Sequence, residues 1–262
     1  MSTWHLTDAD WNSWPDGLDD QQVFTQAAHL HLDGIELGVY EPTVELAPHR
    51  LANLARIGEE TGVPVRALLL SLPPVRWPGG ALSGDPDRLL SSVVDCAAVC
   101  RDLGLDLLGV WPGADPVGSD VIPTLQRCLD AAGGVRLALE YKPGTAVATA
   151  AEALALCAQV PGLGVLLDTG HAYAAGEDPA EVVDLLGDLL LHCHLGDAPL
   201  GGDDDDLPCG RIHDFTCFVD ALDASGFTGS ASFDLYGAVS SGRISGAEAV
   251  RESRDHVLSR RM

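Results

Sequence analysis

Three stretches of this chain share one construction. VRLALEYKPG, GVLLDTGHAYAAGEDP and LLLHCHLGDAP, all between Val135 and Leu200, each open on a short apolar run and close on a polar cluster. The clusters offer Glu140, then Asp168 with His171, then His194 with Asp197. An apolar run of about four to seven residues signals a buried strand, and helical spacing separates the runs. Three consecutive strand–helix units therefore each deliver a metal-type ligand at the carboxyl end of a strand. In parallel α/β folds that edge lines one common face, and sites are built there. One acid at a strand end is ordinary, since it caps a helix or pairs within a loop. Three strand ends in a row giving Glu, Asp and His is a rarer coincidence.

The same alternation runs through the rest of the chain. Strands are expected at Thr3–Leu6, Gly34–Val39, Val65–Leu72, Asp106–Trp111, Val135–Leu139, Gly164–Leu167, Leu189–Leu195 and Ser230–Leu235. Helices are expected between them, among them Leu46–Thr61, which Gly62 ends, and Pro179–Leu186, whose proline suits a first turn. Eight strand–helix units in 262 residues, with no composition break, point to one domain over residues 1–262 and to a single (β/α)8 barrel. No glycine-rich dinucleotide loop follows an early strand.

Charge narrows the partners. With 15 Lys plus Arg against 39 Asp plus Glu, the net charge is −24, which repels phosphate backbones and anionic membranes. Nucleic acid and membrane are therefore not expected as partners. The seven cysteines are scattered without a CxxC, so they read as small buried hydrophobes in a reducing compartment. The start has neither a basic nor an apolar leader region, and a cytoplasmic location is the expectation. Lys142 is the one lysine, two residues after Glu140.

The motifs LALEYKP, LLDTGHAYAAGEDP, HCHLGD and LPCGRIHDF together resemble the xylose isomerase-like TIM barrel family, which includes tagatose-type epimerases, inosose isomerase and dehydratase, and hydroxypyruvate isomerase. The motifs span about 80 residues, and DTGH with its downstream GEDP is the most specific. The resemblance implies one divalent metal ion held by Glu140, Asp168, His194 and Asp234. His171 matches the family's substrate-contacting histidine, and Glu36 a glutamate common on strand two. Two positions depart from the pattern. Asp234 stands where the family usually has Glu, so its carboxylate reaches roughly 1.3–1.5 Å less far. Asp206 stands where the strand-seven loop often has His. The family's DNA-repairing phosphodiesterases need further histidines that this chain lacks.

A mixed oxygen–nitrogen donor set suits Mn²⁺ first, with Mg²⁺, Co²⁺ or Zn²⁺ as alternatives. The implied chemistry is isomerisation or epimerisation of a small sugar or polyol ketone. The metal polarises the carbonyl, and a carboxylate removes the α-proton to leave an enediolate. Glu140 is the first choice as acid/base, with Asp234 opposing it. A dehydratase of the inosose or dehydroshikimate type would use the same site. A non-catalytic carbohydrate-binding barrel is the alternative from another class, motivated by Asp234. His171 either donates to a substrate oxygen or orients a ligand. Asp197 either orients His194 or touches substrate. His192 is expected deeper in the barrel, buried and hydrogen-bonded. Glu36, Lys142, Trp111, Trp14 and Arg211 are further candidate substrate contacts, with Arg76 and Arg211 the loop candidates for a phosphate. The run Asp203–Asp206 is expected to be a solvated loop. Oligomeric state is not readable from the residues, and the resemblance leaves a homodimer open.

Overall fold

A computed structural model of the chain describes residues 4–10, 17–71, 82, 85–111, 113, 120–202 and 206–260. Trp14, Arg76 and Asp203–Asp205 lie outside the described residues. Eight parallel strands close into a barrel in chain order: β1 (His5–Ala9), β2 (Gly34–Val39), β3 (Val65–Leu70), β4 (Leu107–Val110), β5 (Arg136–Glu140), β6 (Leu163–Asp168), β7 (Leu190–Leu195) and β8 (Ser230–Phe233). The last strand pairs with the first, Thr7 opposite Ser232. Closure leaves no sheet edge unpaired.

Each helix follows from local sequence. Helix α1 (Asp20–His29) starts at a capping box in which Asp19 accepts from the Gln22 N–H and Gln22 reaches back to the Asp19 N–H. A short helix α2 (Pro42–Glu45) precedes α3 (Pro48–Thr61), which ends at Gly62 with φ +74°, a conformation suited to glycine. The sequence suggests a helix from Leu46; it starts two residues later, with Pro48 in the first turn, and the short helix before it was not expected. The ring continues with α4 (Pro86–Asp102), α5 (Val121–Ala131) and α6 (Ala150–Cys157). Helices α7 (Thr169–Ala175), α8 (Pro179–Leu186), α9 (Thr216–Ala224), α10 (Tyr236–Ser240) and α11 (Gly246–Leu258) complete it. The expected strand Thr3–Leu6 lies further along, at His5–Ala9.

Two apolar regions result. The larger fills the space between sheet and helices, with Ile35, Leu37, Leu68, Leu139, Val165, Leu167, Cys193 and Phe233 facing outward from the strands. The smaller is the barrel interior: Ala9, Leu69, Leu107, Ala138 and Leu166, with Leu191 against them. Small residues keep that interior open enough for long polar side chains. At Gly164 a Cβ would lie 2.3 Å from Leu191 Cδ1, so glycine is what lets Leu191 cross that level. Six cysteines are buried, as expected, while Cys217 on α9 is exposed. No helix among the described residues is long and apolar enough to cross a membrane.

Candidate metal centre

Side chains alternate along a strand, so Glu140, Asp168 and His194, each at or next to a strand's carboxyl end, point into the barrel. Register levels two of them, Asp168 opposite His194, while Glu140 pairs with Leu166, two residues before Asp168. All three are buried. Three carboxylates converge on one imidazole nitrogen. His194 Nδ1 lies 3.3 Å from Glu140 Oε1, 3.8 Å from Asp168 Oδ2 and 3.7 Å from Asp234 Oδ2. Donor atoms of Glu140, Asp168 and His194 all fall within 4.8 Å of one another. Asp234, just past β8 and partly exposed, borders that set rather than closing it, and its Oδ1 accepts from the Tyr236 N–H at 3.3 Å.

The residues fit a divalent cation. Asp168 Oδ1 accepts the His171 N–H at 3.0 Å, but Oδ2 is buried without a hydrogen-bond partner. An orphaned carboxylate oxygen is costly unless something binds it. Ligands at about 2.1 Å from one ion sit roughly 3.0–3.4 Å apart, close to the spacing around His194 Nδ1. Burial works to raise the Asp168 carboxyl. The charges of His171 and His194, the His171 N–H and the Lys142 charge outweigh it and hold the group below the usual aspartate range. Burial likewise opposes protonation of His194, yet Glu36 and Glu140 raise its pKa well above the usual histidine range. A cation at Nδ1 would therefore displace a proton.

His171 lies in the first turn of α7, with Asp168 as its N-cap, not in a loop as the sequence suggests. Its Nδ1 is 3.2 Å from the Tyr141 carbonyl and 3.4 Å from Glu140 Oε1. A carbonyl only accepts, so Nδ1 carries the proton. Lys142 is the second residue after β5, and its carbonyl accepts from Thr145. Trp111 follows β4 directly and is half-buried.

The structure places four candidates in other surroundings than expected. Glu36 is fully buried inside the barrel. Its Oε2 takes His192 Nε2 at 2.9 Å and its Oε1 takes His194 Nε2 at 3.2 Å. His192 is buried and hydrogen-bonded, in line with its parity. Asp197 neither orients His194 nor faces the mouth. It accepts from the N–H groups of Ile212 and His213 and from His213 Nδ1 at 2.7 Å, and its backbone pairs with Leu207. It thereby fastens the loop after β7. Arg211 is exposed and pairs with Glu252 on α11 at 2.5 Å. Asp206 is buried, with φ +36°, and accepts from the Gly237 N–H, so the end of the acidic run is not solvated.

Sequence reasoning passed over His213. Its ring stacks on Tyr173 at 3.8 Å between centroids and 5° between planes. The residue stands inside the quoted LPCGRIHDF, but nothing local marks it as the partner of Asp197.

Comparison with known proteins agrees with this geometry. A family model described as Xylose isomerase-like TIM barrel matches residues 24–260. Among solved structures, D-allulose 3-epimerase from Methylomonas sp. in complex with D-allulose is 20% identical, with a TM-score of 0.73 over 98% of this chain and 94% of that one. The IolI protein with a bound zinc atom is 19% identical, with a TM-score of 0.77 over 97% of each chain. The 3-keto-D-glucoside 4-epimerase YcjR from E. coli, in its apo form, is 16% identical, with a TM-score of 0.75 over 98% of this chain and 99% of that one. At these identities the likeness carries the fold alone. A comparison with curated protein sequences found no match.

Proposed function

The chain belongs to the xylose isomerase-like TIM barrel family, and on that premise we propose that it is a divalent-metal-dependent isomerase or epimerase of a small sugar or polyol ketone. One observation carries the proposal: Glu140, Asp168 and Asp234 converge within 3.8 Å of His194 Nδ1 at the carboxyl mouth of the barrel. Solved neighbours that are sugar epimerases, and a neighbour with bound zinc, support it.

Glu140, Asp168 and His194 would hold the cation, with Asp234 as the fourth ligand. Bound there, a divalent ion supplies Lewis-acid polarisation of a substrate carbonyl. Mn²⁺ remains the first choice, though a three-carboxylate, one-imidazole set also accepts Mg²⁺, Co²⁺ or Zn²⁺. The protein's own groups do the rest. Glu140 takes the α-proton, and its Oε1 lies near both His194 and His171. Asp234 enters from the β8 side and would return the proton, since epimerisation requires bases on opposite faces of the carbon. His171 donates to a substrate oxygen, and Lys142 and Trp111 border the same mouth as substrate contacts.

The test is metal content by elemental analysis on wild type and Asp234→Ala, followed by NMR of ketoses in D₂O. Near-stoichiometric metal in wild type, a tenfold or greater loss of metal affinity in the variant, and solvent deuterium at the ketose α-carbon are expected. Wild type that takes up no Mn²⁺, Co²⁺ or Zn²⁺ on soaking would end this reading in favour of a non-catalytic barrel. Product that has lost water would identify the dehydratase instead.

A further inference from the structure

We propose that Glu36 is a positioning residue that dictates which nitrogen His194 turns toward the metal, and that His192 holds Glu36 in that role. The proposal rests on the reading of Glu140, Asp168 and His194 as metal ligands. It concerns residues beneath that set, in the middle of the barrel.

The two nitrogens of His194 face opposite surroundings. Nδ1 looks up at Glu140, Asp168 and Asp234, and Nε2 lies 3.2 Å from Glu36 Oε1. A carboxylate only accepts, so the Nε2 hydrogen points at Glu36; Nδ1, whose own neighbour Glu140 Oε1 at 3.3 Å is a proposed ligand, is the nitrogen left for a cation, which takes the place of any proton there. Carboxylate–imidazole–metal arrangements of this kind settle both tautomer and ring orientation. Without Glu36, no carboxylate on the Nε2 side favours one tautomer over the other.

Glu36 cannot hold that pose alone, because a glutamate has three rotatable bonds. Its second oxygen is taken by His192 Nε2 at 2.9 Å. Ser232 Oγ lies 3.4 Å from the same nitrogen and 2.6 Å from Thr7 Oγ1. The chain of contacts thus runs Thr7, Ser232, His192, Glu36, His194, across four strands. Glu36, His192 and His194 are each 0–1% exposed.

The fold makes room for this crossing. Strands β1 and β8 stand between β2 and β7, and register places Thr7 opposite Ser232 and Ser232 opposite His194. Both are small, so Glu36 spans the lumen above them. A buried charged triad is not an economical way to fill a barrel, since apolar residues of equal volume usually pack there at no cost in stability. Its presence between two strands, directly under the proposed ligand, is what a positioning role explains. The three donors also form a compact metal-type set of their own. The contacts of 2.9 and 3.2 Å are direct hydrogen bonds, and these already satisfy the atoms that a second cation would need.

The decisive measurement is ¹⁵N NMR of the histidine rings in the full-length protein loaded with Zn²⁺, with His194 assigned by its absence in His194→Gln. The expected result is a protonated Nε2 and a zinc-bound Nδ1. Zinc on Nε2, or a proton on Nδ1, overturns the proposal. Zinc affinity by chelator competition is the second arm. Glu36→Gln keeps the size but offers one acceptor to two N–H donors, and a 10- to 100-fold weaker affinity is expected. Affinity equal to wild type overturns the positioning role while Asp168→Asn, if it loses zinc, keeps the metal reading intact. Wild type that binds zinc no better than Asp168→Asn removes both readings. Should Glu36→Gln fail to fold, the ring spectra of wild type decide alone.

Discussion

The two mouths of the barrel differ in a way that is easily misread. The amino-terminal mouth opens on a cavity of about 570 Å³, bordered by His5, Arg66, Asp106, Arg136, His192 and Ser230. The carboxyl mouth holds the convergent donors. A cavity of that size invites reading the lower mouth as the site. Its charges tell otherwise: Arg136 pairs with Asp106 at 2.9 Å, both well exposed, and Arg66 donates to the Asp33 carbonyl. Such groups are satisfied by neighbours and water, and an exposed pair is worth little. At the upper mouth the acids are buried, and Asp168 keeps an oxygen that no protein group satisfies. Chemistry is located by donors whose needs are unmet, not by empty space.

The largest effect is expected at the upper mouth. Asp168→Asn should lose bound metal and lower α-proton exchange by at least about 10³-fold, read by elemental analysis and deuterium incorporation. An Asn oxygen still caps α7, so the unfolding free energy of the metal-free form should move by no more than about 1 kcal/mol. A metal-free Tm that collapses would mean that Asp168 is structural and would blur the contrast between the mouths.

Asp10, just past β1 on the same edge, sharpens it through pH. Burial raises its carboxyl from 3.8 to about 7, against the Gly38 N–H and the Arg50 charge. A raised acid binds a proton in the folded state that the unfolded chain has already released. Its contribution to stability is full below about 3.8 and is lost as pH rises through about 7. Asp10→Asn should therefore gain on wild type with rising pH, by on the order of 1–3 kcal/mol at pH 8. Denaturant unfolding at pH 5 and pH 8 checks this, and an equal difference at both values would refute it. The smallest effect belongs to the lower mouth. Arg136→Ala should change stability by less than about 0.5 kcal/mol and leave metal affinity unchanged. A loss of metal affinity there would tie the two mouths together.

Much of this was legible in the residues. The eight apolar runs are the eight strands, and the polar residue closing three of them supplies the donor set. Boundaries moved where local signals compete. Pro48 sets the start of one expected helix two residues later, and the helix over His171 begins at Thr169 because the Asp168 carboxylate caps it. Glu36 shows the limit more sharply. Its burial within an apolar run was readable, and so was its need for a partner, yet a partner 156 residues away was not. Asp197 and Arg211 show the opposite limit: their neighbours in sequence suggested the mouth, and the structure pairs them with His213 and Glu252.

The amino-acid sequence by itself determined the barrel, the edge on which its chemistry sits and the inward-facing side of each strand. Those follow from alternation and spacing, which are local. Only the tertiary structure decided depth and pairing. It set Glu36 beside His192 and His194, and brought Asp234 to the rim of the candidate donor set. It turned Asp197 to His213. The physical reason is register. A period of two tells which face a side chain takes, but its height in the barrel, and what stands across the lumen, depend on how all eight strands are staggered when the sheet closes.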